Sequence, residues 1–222
     1  MNTYAMKNLT TRLRGYALIA ASIPFISGCF GFAAVGVGAG ALLLSDRRAS
    51  ETYVTDEGIE LRANSRLGEN YGSKEHINVT SYNRMVLLTG EVSSPEVKAS
   101  VEKLISSVPN VKSISNELAI AGSSSLGGRS NDTYLTSKVK ARFVDAQQFS
   151  VQHVKVVTEA GVVFLLGLVT QTEADAAADI ARTTGGVQKV VRVFEIISPE
   201  QARAIDGQQK QSTNQNNTTD QH

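Results

Sequence analysis

Residues 85–90, Met85-Val86-Leu87-Leu88-Thr89-Gly90, return 77 positions later as Val162-Val163-Phe164-Leu165-Leu166-Gly167. The same offset carries Ile77-Asn78-Val79 onto Val154-Lys155-Val156, and His76 onto His153. After one deletion the offset becomes 76, and Val111-Lys112-Ser113-Ile114 matches Val187-Gln188-Lys189-Val190. Upstream, Asp56, Ile59, Ala63, Arg66 and Leu67 match Asp132, Leu135, Val139, Arg142 and Phe143. Two copies at this spacing are a duplication of one module, not a long solenoid.

Each copy spells the same elements. A helix comes first, over about 56–68 and about 132–144, the second with Asn131 or Asp132 as its cap. Leu135, Val139 and Phe143 recur every fourth residue, which puts them on one face. Two strands follow, about 76–82 and 85–92, repeated at about 153–158 and 162–169, with Asn83-Arg84 and Ala160-Gly161 at the hairpin turns. A second helix begins at Ser94-Pro95 in one copy and at a capping box, Thr170 to Glu173, in the other. Pro109-Asn110 and Gly185-Gly186 end these helices, and a last strand runs over about 111–119 or 187–197. A strand reached through a helical crossover joins the same sheet, so both helices cover one face. The expected class is α+β: two small αββαβ sandwiches, each a three-stranded mixed sheet with two helices. The domains fall at 51–120 and 131–198, joined by a flexible Gly/Ser linker, 121–130. Residues 199–222, which turn Gln/Asn/Thr-rich from Asp206, are expected to be a disordered tail.

The beginning of the chain carries an address. Lys7, Arg12 and Arg14 precede the uncharged stretch 16–26 and then Ser27-Gly28-Cys29, the layout of an export signal over 1–28. Ile26-Ser27-Gly28-Cys29 resembles a bacterial lipobox, in which diacylglycerol joins the cysteine sulfur before cleavage and an acyl chain such as palmitate then joins its nitrogen. Residues 29–50 would then be the acylated cysteine and a Gly/Ala-rich tether. The alternative is an uncleaved spanning helix over 16–44, long enough for a hydrocarbon core of roughly 30 Å, though five glycines between Gly28 and Gly40 lower its helix propensity. In Gram-negative lipoproteins an aspartate after the cysteine retains the protein at the inner membrane. Phe30 stands there, so the resemblance implies the outer membrane, facing the periplasm.

Composition narrows the functions. Lys+Arg 22 nearly balance Asp+Glu 21; without residues 1–28, which hold three bases and no acid, 19 bases (22 − 3) face 21 acids, a formal charge of −2. That argues against broad binding to nucleic acid. A single cysteine excludes an intramolecular disulfide, CxxC redox chemistry and a cysteine zinc site. His76 and His153 hold equivalent positions, which favours a role in the fold over catalysis. Glu173, Asp175 and Asp179 lack histidine or cysteine partners and read as a solvated acidic face, so neither metal nor cofactor is expected beyond the acyl groups on Cys29. No catalytic constellation and no small-molecule substrate emerge.

The hairpin-Gly-helix segments Val86-Leu87-Leu88-Thr89-Gly90-Glu91-Val92 and Val163-Phe164-Leu165-Leu166-Gly167-Leu168-Val169 resemble the BON domain family. The turns Pro109-Asn110-Val111-Lys112-Ser113 and Gly185-Gly186-Val187-Gln188-Lys189-Val190 fit it as well. A lipobox followed by two such domains is similar to the outer-membrane lipoproteins of that family. The resemblance implies a part in envelope integrity, with anionic phospholipid bound through the first helix of the second domain. On that helix Tyr134, Lys138 and Arg142 form one stripe beside the core stripe of Leu135 and Val139, and these five are the candidate lipid-binding residues. An aromatic in line with two cations suits a phospholipid interface. A packed or solvated face fits the same residues. The other functional reading is a protein-interaction adaptor, whose sheet surfaces or interdomain groove would engage an outer-membrane assembly machine.

Overall fold

The structure, a computed structural model, describes residues 46–121 and 126–219. The export signal, Cys29 and the run from Phe30 to Leu44 lie outside them. In the first domain α1 (Ser50–Tyr71) leads to β1 (His76–Tyr82), β2 (Met85–Val92), α2 (Pro95–Ser106), β3 (Ser113–Asn116) and β4 (Ala119–Ile120). The second repeats the order as α3 (Leu126–Ala146), β5 (Lys155–Glu159), β6 (Val162–Val169), α4 (Gln171–Arg182) and β7 (Lys189–Ile196), and α5 (Pro199–Thr219) follows.

Each hairpin is antiparallel, with His76 opposite Glu91 in one domain and Lys155 opposite Leu166 in the other. The crossover strand pairs parallel to the hairpin's second strand, Val86 with Ile114 and Val163 with Val190. Both sheets are therefore mixed, with the hairpin's second strand at the centre. The expected last strand of the first domain is broken into β3 and β4, although the Glu117 amide still donates to the Leu88 carbonyl. The break comes from contacts with α2. The Asn116 amide group donates to the Lys98 carbonyl and to Glu102, while Lys98 Nζ takes the Leu118 carbonyl, so this segment leans onto α2.

The glycines that close the duplicated runs are explained by close approach. A Cβ on Gly90 would lie 2.1 Å from the His76 carbonyl oxygen, and one on Gly167 would lie 2.3 Å from that of His153. The hairpin turns place both central residues at positive φ: 51° and 64° at Asn83-Arg84, 49° and 75° at Ala160-Gly161. This is the pattern of a type I′ turn, whose twist suits a two-residue hairpin.

Burial of the sheets is two-sided. Val86, Leu88 and Val92 face α1 and α2, and Val163, Leu165 and Val169 face α3 and α4. The alternate residues Leu87, Phe164, Leu166 and Leu168 meet Tyr82 and Val193 in a third apolar cluster, where the two sheets pack on each other. Helices thus cover the outer face of each sheet, and the inner faces form a shared seam. A strand buried on both faces reads as a continuous apolar run, which is why β2 and β6 show no alternation.

Three expectations are corrected. The linker is largely absorbed into α3, which starts at Leu126. Asp132 does not cap that helix; it is buried beneath the hairpin, accepting from the amides of Ala160 and Gly161 at 2.9 and 2.8 Å. The tail expected to be disordered forms α5. Its start has a signal in the sequence: Ser198 and Gln201 cap each other reciprocally, with Pro199 at the first helical position.

Candidate functional site

The five candidate residues of α3 separate by geometry. Leu135 and Val139 are 1% and 0% exposed and belong to the interior, so they can place the helix but cannot touch a ligand outside it. Arg142 Nη1 donates to the Ile180 carbonyl at 2.8 Å and to the hydroxyls of Thr183 and Thr184, closing the end of α4. A cation suits a helix C-terminus, where carbonyls lack partners. Arg66, its counterpart in the first domain, donates to Ser107 at the end of α2. A task repeated in both copies is a task of the fold. Tyr134 remains, 62% exposed, with Lys138 Nζ 5.8 Å from its ring centroid. Lys138 also donates to the Gly185 carbonyl at 2.9 Å, which fixes its ammonium beside the ring. In the first domain Gly58 replaces the tyrosine.

A second cluster was not foreseen, because it is built by residues expected to belong to the tether. Arg47 is buried; it donates to Glu173 through Nη1 and Nη2 at 2.7 and 3.0 Å, to both Asp206 oxygens, and to the Leu168 carbonyl. Arg48 turns the other way, onto Asp46 and Asp56, with its guanidinium 4.2 Å from the Tyr82 ring centroid. Adjacent arginines thus grip different domains, and Arg47 also holds α5 through Asp206. Gln209 of α5 donates to the Asp46 carbonyl, and Ala202 is buried. The spacing of Ala202, Asp206 and Gln209 at i, i+4, i+7 is that of one helix face.

The histidines differ in surroundings despite their equivalent positions. His153 precedes β5 in a short 3-10 turn, buried, with Nδ1 3.6 Å from Glu173 and Nε2 3.9 Å from Asp206. Burial first, and then the charge of Arg47, push its pKa below the ordinary histidine value. Burial alone would raise Glu173, but hydrogen bonds from Arg47 and Thr170 outweigh it and hold its pKa near 2. His76 instead meets Glu91 at 2.7 Å at the edge of the seam. On the expected acidic face, Asp175 pairs with Arg192 and Asp179 with Arg182, whereas Glu173 is held by Arg47. The inner sheet faces considered as adaptor surfaces are occupied by each other.

Comparison with known proteins agrees with this duplicated architecture. The BON domain family matches residues 55–122 and 131–198. The outer membrane lipoprotein DolP of Haemophilus influenzae is 36% identical over 83% of this chain and 97% of its own length. The 21 kDa hemolysin of Actinobacillus pleuropneumoniae is 34% identical over 68% of this chain and 79% of its own. Osmotically-inducible protein Y of Escherichia coli is 32% identical over 62% and 71%. Two matched domains of one model, each with its hairpin, crossover strand and two outer helices, settle the assignment: the chain belongs to the BON domain family.

Proposed function

We propose that the protein is an envelope lipoprotein, anchored in the outer membrane through acylated Cys29 and facing the periplasm. It supports envelope integrity by binding anionic phospholipid through α3, and it catalyses no reaction. The observation that carries this reading is the exposed Tyr134 ring with the Lys138 ammonium held beside it. A tyrosine at headgroup depth with a cation meeting phosphate is a favourable interfacial pair. Leu135, Val139 and Arg142 serve by fixing the helix from which that pair projects. The name of the Haemophilus relative supports the lipoprotein half of the reading. Among the described residues, no helix is long and apolar enough to cross a membrane.

The test is cosedimentation of residues 46–222 with vesicles containing phosphatidylglycerol. Tyr134→Ala and Lys138→Glu should weaken binding with melting temperature nearly unchanged, each basic residue near an anionic surface contributing about 1 kcal/mol. Arg62→Glu, the change equivalent to Lys138→Glu in the first domain, should leave binding intact. Equal losses for Arg62→Glu and Lys138→Glu would place the lipid surface elsewhere. In cells, Cys29→Ser should abolish palmitate labelling.

A further inference from the structure

At one end of the seam, three metal-ligating side chains from both domains converge. His76 opens β1, Glu91 stands opposite it on β2, and Glu159 ends β5 of the other domain. His76 Nδ1 lies 2.7 Å from Glu91 Oε2 and 4.0 Å from Glu159 Oε1, and one ligand atom of each side chain lies within 4.8 Å of the others. Both carboxylates are buried, Glu91 at 6% exposure and Glu159 at 9%. Glu159 Oε2 accepts from Asn78 at 2.7 Å and from Thr89 at 3.4 Å, which leaves Oε1 facing the imidazole across a gap too long for a hydrogen bond. Among the described residues, His76 is the ion-pair partner of Glu159.

The duplication shows that this arrangement is not a requirement of the fold. At the offset of 77, Glu159 corresponds to Tyr82 and Glu91 to Leu168. Tyr82 and Leu168 both belong to the apolar cluster that fills the seam. At each of the two positions one copy supplies an apolar side chain of the seam and the other a carboxylate, and both carboxylates lie beside His76. Withdrawing two carboxylates from water is unfavourable unless hydrogen bonds or positive charge join them, and Glu159 accepts from Asn78 and Thr89. An imidazole offers at most one unit of charge, whereas a divalent ion would balance both carboxylates.

We propose that His76, Glu91 and Glu159 form a divalent transition-metal site, fitted to zinc, that ties the two domains across the seam. One imidazole nitrogen and two carboxylate oxygens are donors zinc accepts, and water completes a four-coordinate shell when the protein supplies three ligands. Water has access: His76 lines two open clefts, of about 530 and 280 Å³, one on each side of the cluster. The ion replaces the proton between His76 and Glu91, and the imidazole is then bound as the neutral base. Asn78, which donates to Glu159 at 2.7 Å, holds that ligand from outside.

The full chain, held in detergent and stripped of metal with a chelator, is titrated with Zn²⁺ against a colorimetric zinc indicator. The assigned ring signals of its three histidines are followed by NMR in the same titration. One equivalent should bind, moving the His76 signals and leaving those of His153 and His222 in place. Glu159→Gln, which keeps the side-chain size, should lower affinity at least about tenfold. Should that variant fail to fold by circular dichroism, the ring signals and a Zn²⁺-dependent rise in the wild-type melting temperature decide. Absence of binding by the wild type overturns the site. So do shifts confined to His153 or His222, or a folded Glu159→Gln that binds as tightly as the wild type.

Discussion

Asp56 and Asp132 occupy one duplicated position and do one shared job, with a difference that can be measured. Each accepts the two backbone amides of its domain's hairpin turn, where positive φ aims both N–H groups inward. Asp56 also accepts from Ser81 and from buried Arg48. Asp132→Ala should therefore cost about 1–3 kcal/mol, the range for leaving buried donors unsatisfied. Asp56→Ala should cost more, about 3–5 kcal/mol, because it strands a buried cation. Denaturant unfolding of the two variants measures the difference, and equal losses would show that Arg48 finds full compensation in Asp46. His153 gives a pH dependence at the same scale. It faces Arg47, Glu173 and Asp206, and its folded pKa is depressed, chiefly by burial. The unfolded histidine takes its proton near pH ~6.5 while the folded one stays neutral, so its stabilisation is full above that pH and declines as pH falls towards the folded pKa. Between pH 7 and 5 the melting temperature should fall more steeply in the wild type than in His153→Asn. Parallel curves for the two proteins would remove His153 from the account.

At the scale of elements, what was legible in the sequence depended on how far apart the partners lay. The hairpins, the Ser94 and Thr170 caps and the core stripe of α3 rest on signals within a few residues, and the structure places them as the spacing requires. The broken last strand depends on the longer reach of Lys98 to Leu118, and no local pattern announces it. Asp132 was ambiguous for a different reason: an aspartate at a helix start serves as a cap equally well, and only the direction of the turn amides decides. The helix α5 was hidden by Gln/Asn-rich composition, which outweighed the short Ser198-to-Gln201 signal. Its tertiary partner, Arg47, is 159 residues from Asp206 in the chain. That distance makes the contact testable. Arg47→Ala should release the first turns of α5, and amides over 199–209 should exchange with solvent faster while those of β6 keep their protection. Unchanged exchange over 199–209 would mean that Ala202 and Gln209 suffice to hold the helix.

For the whole molecule, the decisive feature is that the two domains share one interior. The repeat predicted two sandwiches and gave no direction for their inner faces, yet the unbroken apolar runs 85–88 of β2 and 162–166 of β6 already required cover on both sides. The exposed pair of α3 was only partly legible, since periodicity placed Tyr134, Lys138 and Arg142 on one line without showing that Arg142 turns inward to α4. Sharing an interior changes how the protein should unfold. Phe164 and Leu166 point into the seam, away from their own domain's helices, and contribute to both domains at once. Lys112 and Asn83 reach Glu195 across the same boundary, and Arg47 and Arg48 join it at the chain's entry. Calorimetry of the wild type should therefore show a single transition, with calorimetric and van't Hoff enthalpies in agreement. Phe164→Ala should cost about 3–5 kcal/mol, as for other large-to-small changes in a packed interior. Phe164→Asp adds a buried charge facing the other sheet and should split the transition in two, since each domain keeps its own helix-covered core. If the wild type already melts in two steps, the seam does not couple the domains. If Phe164→Asp unfolds both together in a single step, neither core stands without it.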